Sequence, residues 1–412
     1  MNELNNYQCR FCNSQLNNLF LDLGETPSAN SFLKQEDLSS EKLHPLRVFI
    51  CSKCFLVQIP EIITPSELFS DYAYFSSFSD TWLEHAKDYV DMMIERFHLN
   101  HSSQIIEIAS NDGYLLKYFV QKGIPVLGIE PASNVAETAI KNGVPTLKKF
   151  FNTNTANKIK EKDGLADILL GNNVLAHVPD INDFIVGMKI LLKPNGIITM
   201  EFPHLLQLIE NTQFDTIYHE HFSYFSFITI QEIFISKGLE IFDVEEISTH
   251  GGSLRIFVKH SDNKLLEIKE SVESLVKKEK EYGLDNMLTY LDFSKKIENV
   301  KNKINNFLET VKSEGKSVIC YGAPAKGNTL LNFCSISSNQ IEYTVDRNPH
   351  KQGLFLPGSH IPIKSVTTIQ ETKPDYIIIL PWNIKDEIMD QMKDIRTWGG
   401  KFVIPIPEVK IL

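Results

Sequence analysis

Residues 105–131 begin with Ile-Ile-Glu-Ile-Ala-Ser-Asn-Asp-Gly-Tyr-Leu-Leu from Ile105 and end with Pro-Val-Leu-Gly-Ile-Glu-Pro from Pro125, and this stretch decides the fold. Its isoleucine-rich start is a short β-branched run that predicts a buried parallel strand. A turn cluster ending in Gly113 follows, where glycine permits a positive φ or a close backbone approach. Helical spacing over residues 114–121 and an apolar run over 126–129, ended by Glu130, complete a predicted strand–turn–helix–strand unit.

The acid at the end of the second strand indicates the kind of cofactor. A carboxylate at that point is placed to accept both hydroxyls of an adenosine ribose. The first loop lacks the spaced glycines of a dinucleotide site, so no pyrophosphate has to be bound there. An acidic loop poor in glycine instead suits a cofactor with a ribose and a cationic amino-acid tail, as in S-adenosylmethionine (SAM). A βαβ unit without a ligand is the alternative.

The same loop resembles motif I of the class I SAM-dependent methyltransferases, Glu107-x-Ala109-x-x-x-Gly113, with Ala109 in place of the glycine usual in that superfamily. The fold class expected from it is α/β, with a central Rossmann-like domain. The predicted SAM-binding residues lie in this loop, after the second strand and at the end of a strand over 166–172. They are Glu107, Ala109, Ser110, Asn111, Gly113, Glu130 and Asn172.

Length and charge exclude several classes of protein. A chain of 412 residues has room for two or three domains. A net charge of −11 without a basic stripe argues against nucleic-acid binding. The first residues show no signal-peptide pattern and no apolar run reaches membrane-spanning length, so we predict a cytoplasmic protein without a membrane segment.

Two CxxC pairs near the N-terminus predict a metal site. Cys9 and Cys12 form one pair and Cys51 and Cys54 the other, and two such pairs complete an all-cysteine tetrahedral zinc site. Four thiolates leave no open coordination position, so the ion would hold the fold and do no chemistry. Four free thiols or a redox pair are the alternatives, although neither pair opens a helix after a strand.

An aromatic and hydroxyl-rich run over residues 72–79, which includes Tyr74, precedes a predicted helix over 81–97. Its density of Tyr and Ser suits a lid or a binding loop, and a hydrophobic staple between domains is the alternative. Further on, a helix over 182–192, a Lys-Pro-Asn-Gly turn over 193–196 and a strand over 197–201 are typical of methyltransferases. We therefore expect one α/β sheet from about residue 80 to 260.

The consecutive residues Tyr218, His219, Glu220 and His221 bring four polar ionisable side chains together. Four in a row cannot all face a core, and alternation in an extended or turn segment would place Tyr218 and Glu220 on one side and the histidines on the other. Histidine titrates near neutrality and a neighbouring carboxylate could orient it, so a general base is expected. A metal site and a surface aromatic cluster are the alternatives.

The remaining chain predicts helices and then a second α/β domain. Apolar residues at helical spacing among charged ones indicate linking helices over 262–315. A strand, a loop with Lys326 and Asn328, and a helix begin at residue 317, and strands follow at 341–345, 376–380 and 402–404. Backbone N–H groups at a helix start plus a lysine suit a phosphate, and Arg347 and Lys351 follow the next strand. A structural Rossmann-like domain is the alternative.

Four features in this order resemble the nucleotide-sugar C-3′-methyltransferases of deoxysugar biosynthesis. They are the CxxC pairs, Glu-Ile-Ala-Ser-Asn-Asp-Gly from Glu107, Tyr-His-Glu-His-Phe-Ser-Tyr-Phe-Ser from Tyr218 and Tyr-Gly-Ala-Pro-Ala-Lys-Gly-Asn-Thr-Leu-Leu-Asn from Tyr321. The resemblance spans nearly the whole chain. It implies zinc on the N-terminal cysteines, SAM in the central domain, and methylation at C-3′ of a 4-keto-6-deoxy sugar carried on dTDP and held partly by the C-terminal domain.

The resemblance also implies roles for individual residues. It makes His221 the catalytic base that removes the C-3′ proton, with Glu220 and Tyr218 beside it, and it leaves His219 without a role. It places Tyr74 and His177 near the sugar. With the residues of the last domain, the predicted substrate-binding set is Tyr74, His177, Lys326, Asn328, Arg347 and Lys351.

The complete prediction has four parts: a zinc-binding module at 1–70, a SAM-dependent methyltransferase domain at 71–260, a helical linker at 261–315 and a C-terminal Rossmann-like, nucleotide-sugar-binding domain at 316–412. The expected activity is C-methylation of an NDP-4-keto-deoxysugar by an enzyme that could work as a monomer. The alternatives are a nucleotide-sugar O-methyltransferase and a non-catalytic binding or assembly protein. An NAD(P)-dependent sugar enzyme is disfavoured because the C-terminal loop lacks GxGxxG.

Overall fold

The computed structural model describes residues 7–69 and 75–412, which form three β-sheets and the helices packed on them. The strands are β1 (Asn18–Thr26), β2 (His44–Ile50), β3 (Val57–Gln58), β4 (Ile105–Ile108), β5 (Val126–Ile129), β6 (Thr146–Leu147), β7 (Ala166–Asn172), β8 (Leu192–Pro203), β9 (Ser223–Tyr224), β10 (Leu239–Ile247), β11 (Ser253–His260), β12 (Val318–Tyr321), β13 (Thr344–Val345), β14 (Ile363–Lys364), β15 (Tyr376–Ile379), β16 (Lys401–Ile404) and β17 (Lys410–Ile411). The α-helices are α1 (Pro65–Phe69), α2 (Asp80–Phe97), α3 (Leu116–Gln121), α4 (Ser133–Lys141), α5 (Thr153–Asp163), α6 (Ile181–Leu191), α7 (Leu205–Glu210), α8 (Phe227–Ser236), α9 (Glu270–Tyr282), α10 (Leu288–Leu291), α11 (Phe293–Ser313), α12 (Ala325–Phe333), α13 (Thr368–Thr372) and α14 (Lys385–Gln391).

The first sheet is built mainly from the N-terminal segment. β1 pairs antiparallel with β2, β2 with β3, and β3 with β9, which comes from far along the chain. Asn18 at the start of β1 is paired with Ile50 at the end of β2, so the cysteine pairs before β1 and after β2 lie at the same end of the sheet. β9 joins the region of the tyrosine–histidine stretch to this N-terminal sheet.

The second sheet has seven strands in the order β10-β11-β8-β7-β4-β5-β6. β4 to β8 run parallel, while β11 is antiparallel to both of its neighbours. All of β4 is buried, with Ile106 and Ile108 in the core on one face and Ile105 in the core on the other. Because parallel strands end at one edge, the loops after β4, β5 and β7 meet where such sheets bind ligands.

The linking helices connect the first and third sheets through one core. The buried residues of α11 include Ile297, Val300, Ile304 and Leu308, a 3.6-residue pattern, and they share a core with strands of both sheets. The third sheet has the order β14-β13-β12-β15-β16-β17, with five parallel strands and an antiparallel edge strand, β17. The predicted α/β fold class is confirmed, and the domain boundaries stay predictions.

Some elements differ from those predicted. The turn predicted over 193–196 lies inside the long strand β8, and the strand predicted over 341–345 is reduced to β13. β10 and α8 have no predicted counterpart. The sequence of α8, Phe-Ile-Thr-Ile-Gln-Glu-Ile-Phe-Ile-Ser, is rich in β-branched residues, which favour strands over helices. Within residues 7–69 and 75–412, no helix is long and apolar enough to cross a membrane.

Candidate active site and metal centre

The four cysteines predicted to bind zinc form one cluster. The sulfur atoms of Cys9 and Cys54 lie 3.6 Å apart and those of Cys12 and Cys51 lie 3.5 Å apart, and all four lie within 4.8 Å of one another. Sulfurs arranged tetrahedrally around zinc at a Zn–S distance of about 2.3 Å are separated by about 3.8 Å. The cluster therefore fits one Zn²⁺ ion bound by four thiolates, with no position left for a substrate.

Arg10, inside the first CxxC pair, ties this cluster to the rest of the molecule. Its guanidinium donates to the carbonyl oxygens of Pro179, at 2.8 Å, and Ile59. The same group lies 5.3 Å from the ring centroid of Phe222. Since Phe222 directly follows His221 in the chain, the zinc site packs beside the tyrosine–histidine stretch.

The loop after β4 has a strained backbone. Ala109, Asn111 and Gly113 have φ values of 57°, 50° and 78°. The left-handed region costs a residue with a Cβ roughly 1–2 kcal/mol, which explains why glycine is usual at the position of Ala109. At Gly113 an added Cβ would also lie 2.9 Å from Cγ2 of Val144, so no larger residue fits there. Strain of this kind is concentrated at functional sites.

Glu130, after β5, contacts this loop. Its carboxylate accepts hydrogen bonds from the N–H groups of Asn111, at 3.0 Å, and Ala132, at 2.8 Å. Burial, with the nearby charge of Asp112, raises the pKa of Glu130 to about 7. Each carboxylate oxygen can accept two hydrogen bonds, so the group can still accept ribose hydroxyls.

Several buried polar atoms around the loop are unsatisfied. Among the residues described, both carboxylate oxygens of Glu107, Oγ of Ser110, Oδ1 of Asp112 and both amide atoms of Asn172 have no hydrogen-bond partner. Burial and the charges of Asp112 and Glu130 raise the pKa of Glu107 well above its usual range. Buried polar groups are normally paired. A polar ligand with cationic groups, such as SAM, would satisfy these atoms and the excess of carboxyl groups.

The described part of the aromatic and hydroxyl-rich run, from residue 75 onward, lies against the same loop. The N–H of Ser76 donates to Oδ1 of Asn111 at 3.0 Å, and that of Ser77 donates to Oδ2 of Asp112 at 3.2 Å. These contacts favour a covering loop at the cofactor site over a staple elsewhere. Tyr74 itself lies outside the described residues, so its place near the sugar stays a prediction.

Residues 218–221 form a turn, one of the two conformations expected for them, but the placement of their side chains on two sides by alternation is wrong. The N–H of His221 donates to the carbonyl of Tyr218 at 2.9 Å, and this bond brings residues three apart onto one side. Three of the four consecutive side chains, those of His219, Glu220 and His221, are buried. Burial is possible because each of these side chains meets its own polar partner.

His221 is held in one orientation. Its Nδ1 lies 2.9 Å from the carbonyl oxygen of Thr216, and its Nε2 lies 2.8 Å from the hydroxyl of Tyr218. A carbonyl oxygen only accepts, so Nδ1 carries the proton and Nε2 keeps a lone pair toward the hydroxyl. Burial, and next the neighbouring His177, lower the pKa of His221 well below its usual range. The site thus presents a neutral imidazole that can accept a proton at Nε2.

His177 lies beside this imidazole. The two ring centroids are 4.7 Å apart at an interplanar angle of 66°. Nδ1–H of His177 donates to the carbonyl of Glu220 at 2.7 Å, and burial lowers the pKa of His177 to about 4. The structure therefore brings His177 to the predicted base through the backbone of the turn.

The side chains of Glu220 and His219 contact the zinc-binding module instead. Oε1 of Glu220 accepts from Ser28 at 3.2 Å and from Asn30 at 3.1 Å, and burial raises the pKa of this carboxyl. Nε2 of His219 lies 3.3 Å from the carbonyl oxygen of Pro45, and burial lowers its pKa to about 4. Of the two predicted catalytic partners, Tyr218 contacts the His221 ring and Glu220 anchors the turn.

Lys326 and Asn328 lie on α12, at the contact with the central domain, and not in the loop predicted for them, because the helix begins at Ala325. Nζ of Lys326 donates to Oδ1 of Asn383 at 2.8 Å and lies 4.5 Å from the ring centroid of Trp382. Asn328 is buried, and its amide donates to the carbonyl of Ala29 at 2.7 Å. Lys326 is therefore held against Trp382 within the C-terminal domain, whereas Asn328 joins that domain to the N-terminal segment.

The other two predicted substrate residues of this domain differ in exposure. Lys351 is buried, and its Nζ donates to the carbonyl of Ala323 at 2.8 Å. Arg347 is 53% exposed and lies 3.9 Å from a carboxylate oxygen of Glu387. Only the arginine offers a charged group to solvent.

Other residues at the site had no role in the sequence analysis. Oγ1 of Thr329 donates to the carbonyl of Ile217 at 2.9 Å, and Nε1 of Trp382 donates to Oδ2 of Asp215 at 2.7 Å. The two bonds join the C-terminal domain to the 3-10 helix Phe214–Thr216 and to the residue directly after it. The carbonyl of Thr216 accepts the hydrogen bond from His221. Thr329 lies within the quoted motif from Tyr321 without an assigned role, and no motif marks Asp215 or Trp382, so only the tertiary structure gives these residues a part in the site.

Three family models match the chain in sequence order. One described as "Putative zinc binding domain" matches residues 9–69, one described as "Methyltransferase domain" matches 82–244, and one described as "C-methyltransferase C-terminal domain" matches 248–407. With the seven-stranded sheet, the cofactor edge and the cysteine cluster, these matches define a SAM-dependent methyltransferase with an N-terminal zinc-binding domain.

A relative that aligns over nearly its whole length identifies the family. The chain is 36% identical over 408 residues to "C-methyltransferase NovU" from Streptomyces niveus, which covers 98% of this chain and 96% of the relative. The chain therefore belongs to the family of C-methyltransferases that includes that protein.

Other matches cover only part of the chain. Over 98 residues, the chain is 31% identical to a "Ubiquinone biosynthesis O-methyltransferase" from Rhodopseudomonas palustris (strain HaA2), and this alignment covers 24% of this chain and 38% of that protein. A solved SAM-dependent methyltransferase from Anabaena variabilis ATCC 29413 aligns with 42% of this chain and 83% of its own, with 16% identity and a TM-score of 0.34.

Proposed function

We propose that the enzyme methylates C-3′ of an NDP-4-keto-deoxysugar, most suitably a dTDP-linked one, and that His221 removes the C-3′ proton. The observation that carries this proposal is the fixed imidazole of His221. Its Nδ1–H is bonded to the Thr216 carbonyl, and its Nε2 lone pair is directed at the Tyr218 hydroxyl. A neutral, oriented, buried imidazole suits a general base.

The chemistry needs a base because a carbon atom has to become the nucleophile. A hydrogen next to a ketone can be removed since the electron pair left behind is delocalised onto the carbonyl oxygen. His221 Nε2 takes the proton, and the enolate carbon then forms the new C–C bond. When bound, SAM would supply the methyl group from its sulfonium, whose S–CH3 bond electrons would stay on sulfur as a neutral thioether. The residues of the protein must remove the proton, stabilise the negative charge and align the reactants.

The proposed cofactor site is the loop edge of the second sheet. The unsatisfied atoms and the crowded carboxyl groups there support binding of a cationic ligand, and Glu130 is placed for the ribose hydroxyls. The residues proposed to line it are Glu107, Ala109, Ser110, Asn111, Gly113, Glu130 and Asn172.

The sugar is proposed to lie beside His221 and the nucleotide toward the C-terminal domain. The adjacent ring of His177 supports the first part, and the exposed guanidinium of Arg347 suits a diphosphate. Asn328 and Lys351 bond to backbone carbonyls, so we propose that they shape this part of the site. Tyr74 completes the proposed sugar-binding set.

We propose the same four-part domain division as the sequence analysis, with boundaries at 70, 260 and 315. The three family-model ranges support a three-domain chain, and the third range also takes in β11 and the linking helices. A zinc site of four reduced thiolates suits a reducing compartment, which supports a cytoplasmic enzyme. We propose that it works as a monomer.

Product analysis tests the proposal. The enzyme is incubated with SAM and dTDP-4-keto-6-deoxyglucose, and the product is examined by mass spectrometry and NMR. A new methyl on C-3′ would support the proposal. A 4-keto group also acidifies the hydrogen at C-5′. A methyl at C-5′ would support proton removal by a base but would contradict the proposed position of methylation. A methyl on oxygen would support the O-methyltransferase alternative, and the absence of transfer to any keto or hydroxyl nucleotide sugar would support a non-catalytic protein.

A further inference from the structure

The turn between β10 and β11 carries a histidine into the space between the cofactor loop and the C-terminal domain. His250 has a φ of 56°, and Gly251 and Gly252 after it have φ values of 92° and 117°. Its ring meets that of Trp82 edge-on at 5.2 Å, and Trp82 stacks at 5.9 Å on Tyr114 of the cofactor loop. Nδ1 of His250 is buried and has no hydrogen-bond partner within the described ranges. A strained backbone therefore holds an unpaired ring nitrogen at this place.

Lys326 reaches the same place from the other domain. The backbone of Gly251 lies so close to Trp382 that an added Cβ would be 2.5 Å from Cη2 of that ring. The Lys326 ammonium lies 4.5 Å from the centroid of the same ring. Trp382 is thus approached by the residue after His250, from the central domain, and by Lys326, from its own domain, and Lys326 is near enough for its charge to act on His250.

Trp382 also connects the region of His250 and Lys326 to His221. Its Nε1 donates to Asp215 at 2.7 Å, and the next residue, Thr216, accepts the bond from Nδ1 of His221. Burial is the main cause that lowers the pKa values of His221 and His250, the latter to about 4, and Lys326 lowers both further. The three basic groups therefore share one poorly solvated region, where hydrogen bonds to a developing charge are strong.

We propose that His250 and Lys326 bind the carbonyl oxygen of the substrate and stabilise the negative charge that forms on it when His221 removes a proton from the adjacent carbon. The inference rests on the proposed function, since only a carbonyl substrate develops charge at that oxygen. The C–H electron pair becomes the new C=C bond, the carbonyl π pair moves to oxygen, and the proton goes to Nε2 of His221. A neutral His250 donates an N–H there without competing for the proton, and Lys326 donates from its ammonium group.

Exchange of the α-hydrogen separates this step from methyl transfer. The full-length holoenzyme is incubated with dTDP-4-keto-6-deoxyglucose and S-adenosylhomocysteine in D₂O, and deuterium incorporation at the α-carbons is followed by NMR. We expect His250→Leu and Lys326→Met each to slow exchange about 100-fold, the usual effect of removing one such donor. His250→Gln keeps an N–H and should retain a clearly larger part of the rate. Cofactor binding, measured by calorimetry, should change less than about threefold, since neither residue is assigned to that site.

Matched variants control for structural effects. Lys364→Met removes another lysine that lies over an aromatic ring of the same domain, at 4.4 Å from Tyr343, and His101→Gln removes an exposed histidine. Both should exchange like the wild type with unchanged thermal unfolding.

Exchange by His250→Leu and Lys326→Met within threefold of the wild type, or a rise in KM alone, would overturn the inference. His250→Gln as slow as His250→Leu would exclude the donor role of His250. A wild type that neither exchanges nor methylates would count against the proposed function itself.

Discussion

The hydroxyl of Tyr218 lies 2.8 Å from Nε2 of His221, within a turn closed by the hydrogen bond between their backbones. The tyrosine therefore marks the direction in which the histidine can accept a proton. We expect Tyr218→Phe to lower kcat about tenfold, the value of one neutral hydrogen bond, while SAM affinity stays unchanged. Steady-state kinetics and calorimetry check this. A loss as large as that of His221→Asn would make the tyrosine the proton acceptor.

The pH dependence of activity should report the buried state of His221. Its pKa is lowered by burial and by His177, so the neutral, proton-accepting form persists at pH values where an exposed histidine, with a pKa of about 6.5, is charged. We expect kcat/KM for the sugar, at saturating SAM, to stay level as pH falls through 6.5 and to decline only below it. An acid limb centred at 6.5, with the protein still folded by circular dichroism, would contradict this.

α12 contacts the chain directly before the turn that carries His221. A change in this helix should therefore alter the catalytic rate. Thr329→Val removes the hydroxyl that bonds the carbonyl of Ile217, and an unsatisfied buried carbonyl costs about 1–3 kcal/mol. We expect a drop of several-fold or more in kcat with unchanged SAM binding, because the turn that orients His221 loses a support. Thr397→Val is the control, since its exposed hydroxyl bonds only within its own turn. Equal kcat values for both variants and the wild type would show that Thr329 does not position the turn.

The cysteine cluster predicts a dependence on metal. Elemental analysis should find about one zinc per chain, lost in a Cys9→Ser, Cys54→Ser double variant. We expect this variant, and the chelated wild type, to unfold at a lower temperature and to be cleaved first within the N-terminal module. Turnover should fall as well, because Arg10 packs on Phe222 beside the base.

Cys334→Ala is the matched control for the zinc prediction. Cys334 is buried in the C-terminal core and lies outside the cluster. This variant should keep its metal and lose only packing energy. Zinc content and protease resistance that survive in the double variant would argue against the four-cysteine site.

What the sequence predicts well is local. The strand–loop–strand unit around Glu107 and the paired CxxC motifs follow from spacing over a few residues, and the structure places both as expected. The strain at Ala109 was also foreshadowed, since that position usually holds glycine.

The features that the sequence does not predict depend on contacts between residues far apart in the chain. The turn at Tyr218 is set by burial of each side chain against a different segment, so the alternation argument, which assumes one local period, was wrong. Asn328 was interpreted from its place in a loop, yet its bond is to Ala29. His250 belongs to no sequence motif: its ring meets that of Trp82 from α2, and the adjacent Gly251 packs on Trp382 from the C-terminal domain.

The central claim is that His221 removes a proton next to a carbonyl. The most direct measurement is α-hydrogen exchange of dTDP-4-keto-6-deoxyglucose in D₂O by the wild type, His221→Asn and, as the matched control, His219→Asn, with SAM binding measured in parallel. We predict exchange by the wild type, a loss of about 100-fold to 10,000-fold in His221→Asn with SAM binding intact, and near-normal exchange in His219→Asn. Exchange by His221→Asn within a few-fold of the wild type would contradict the claim.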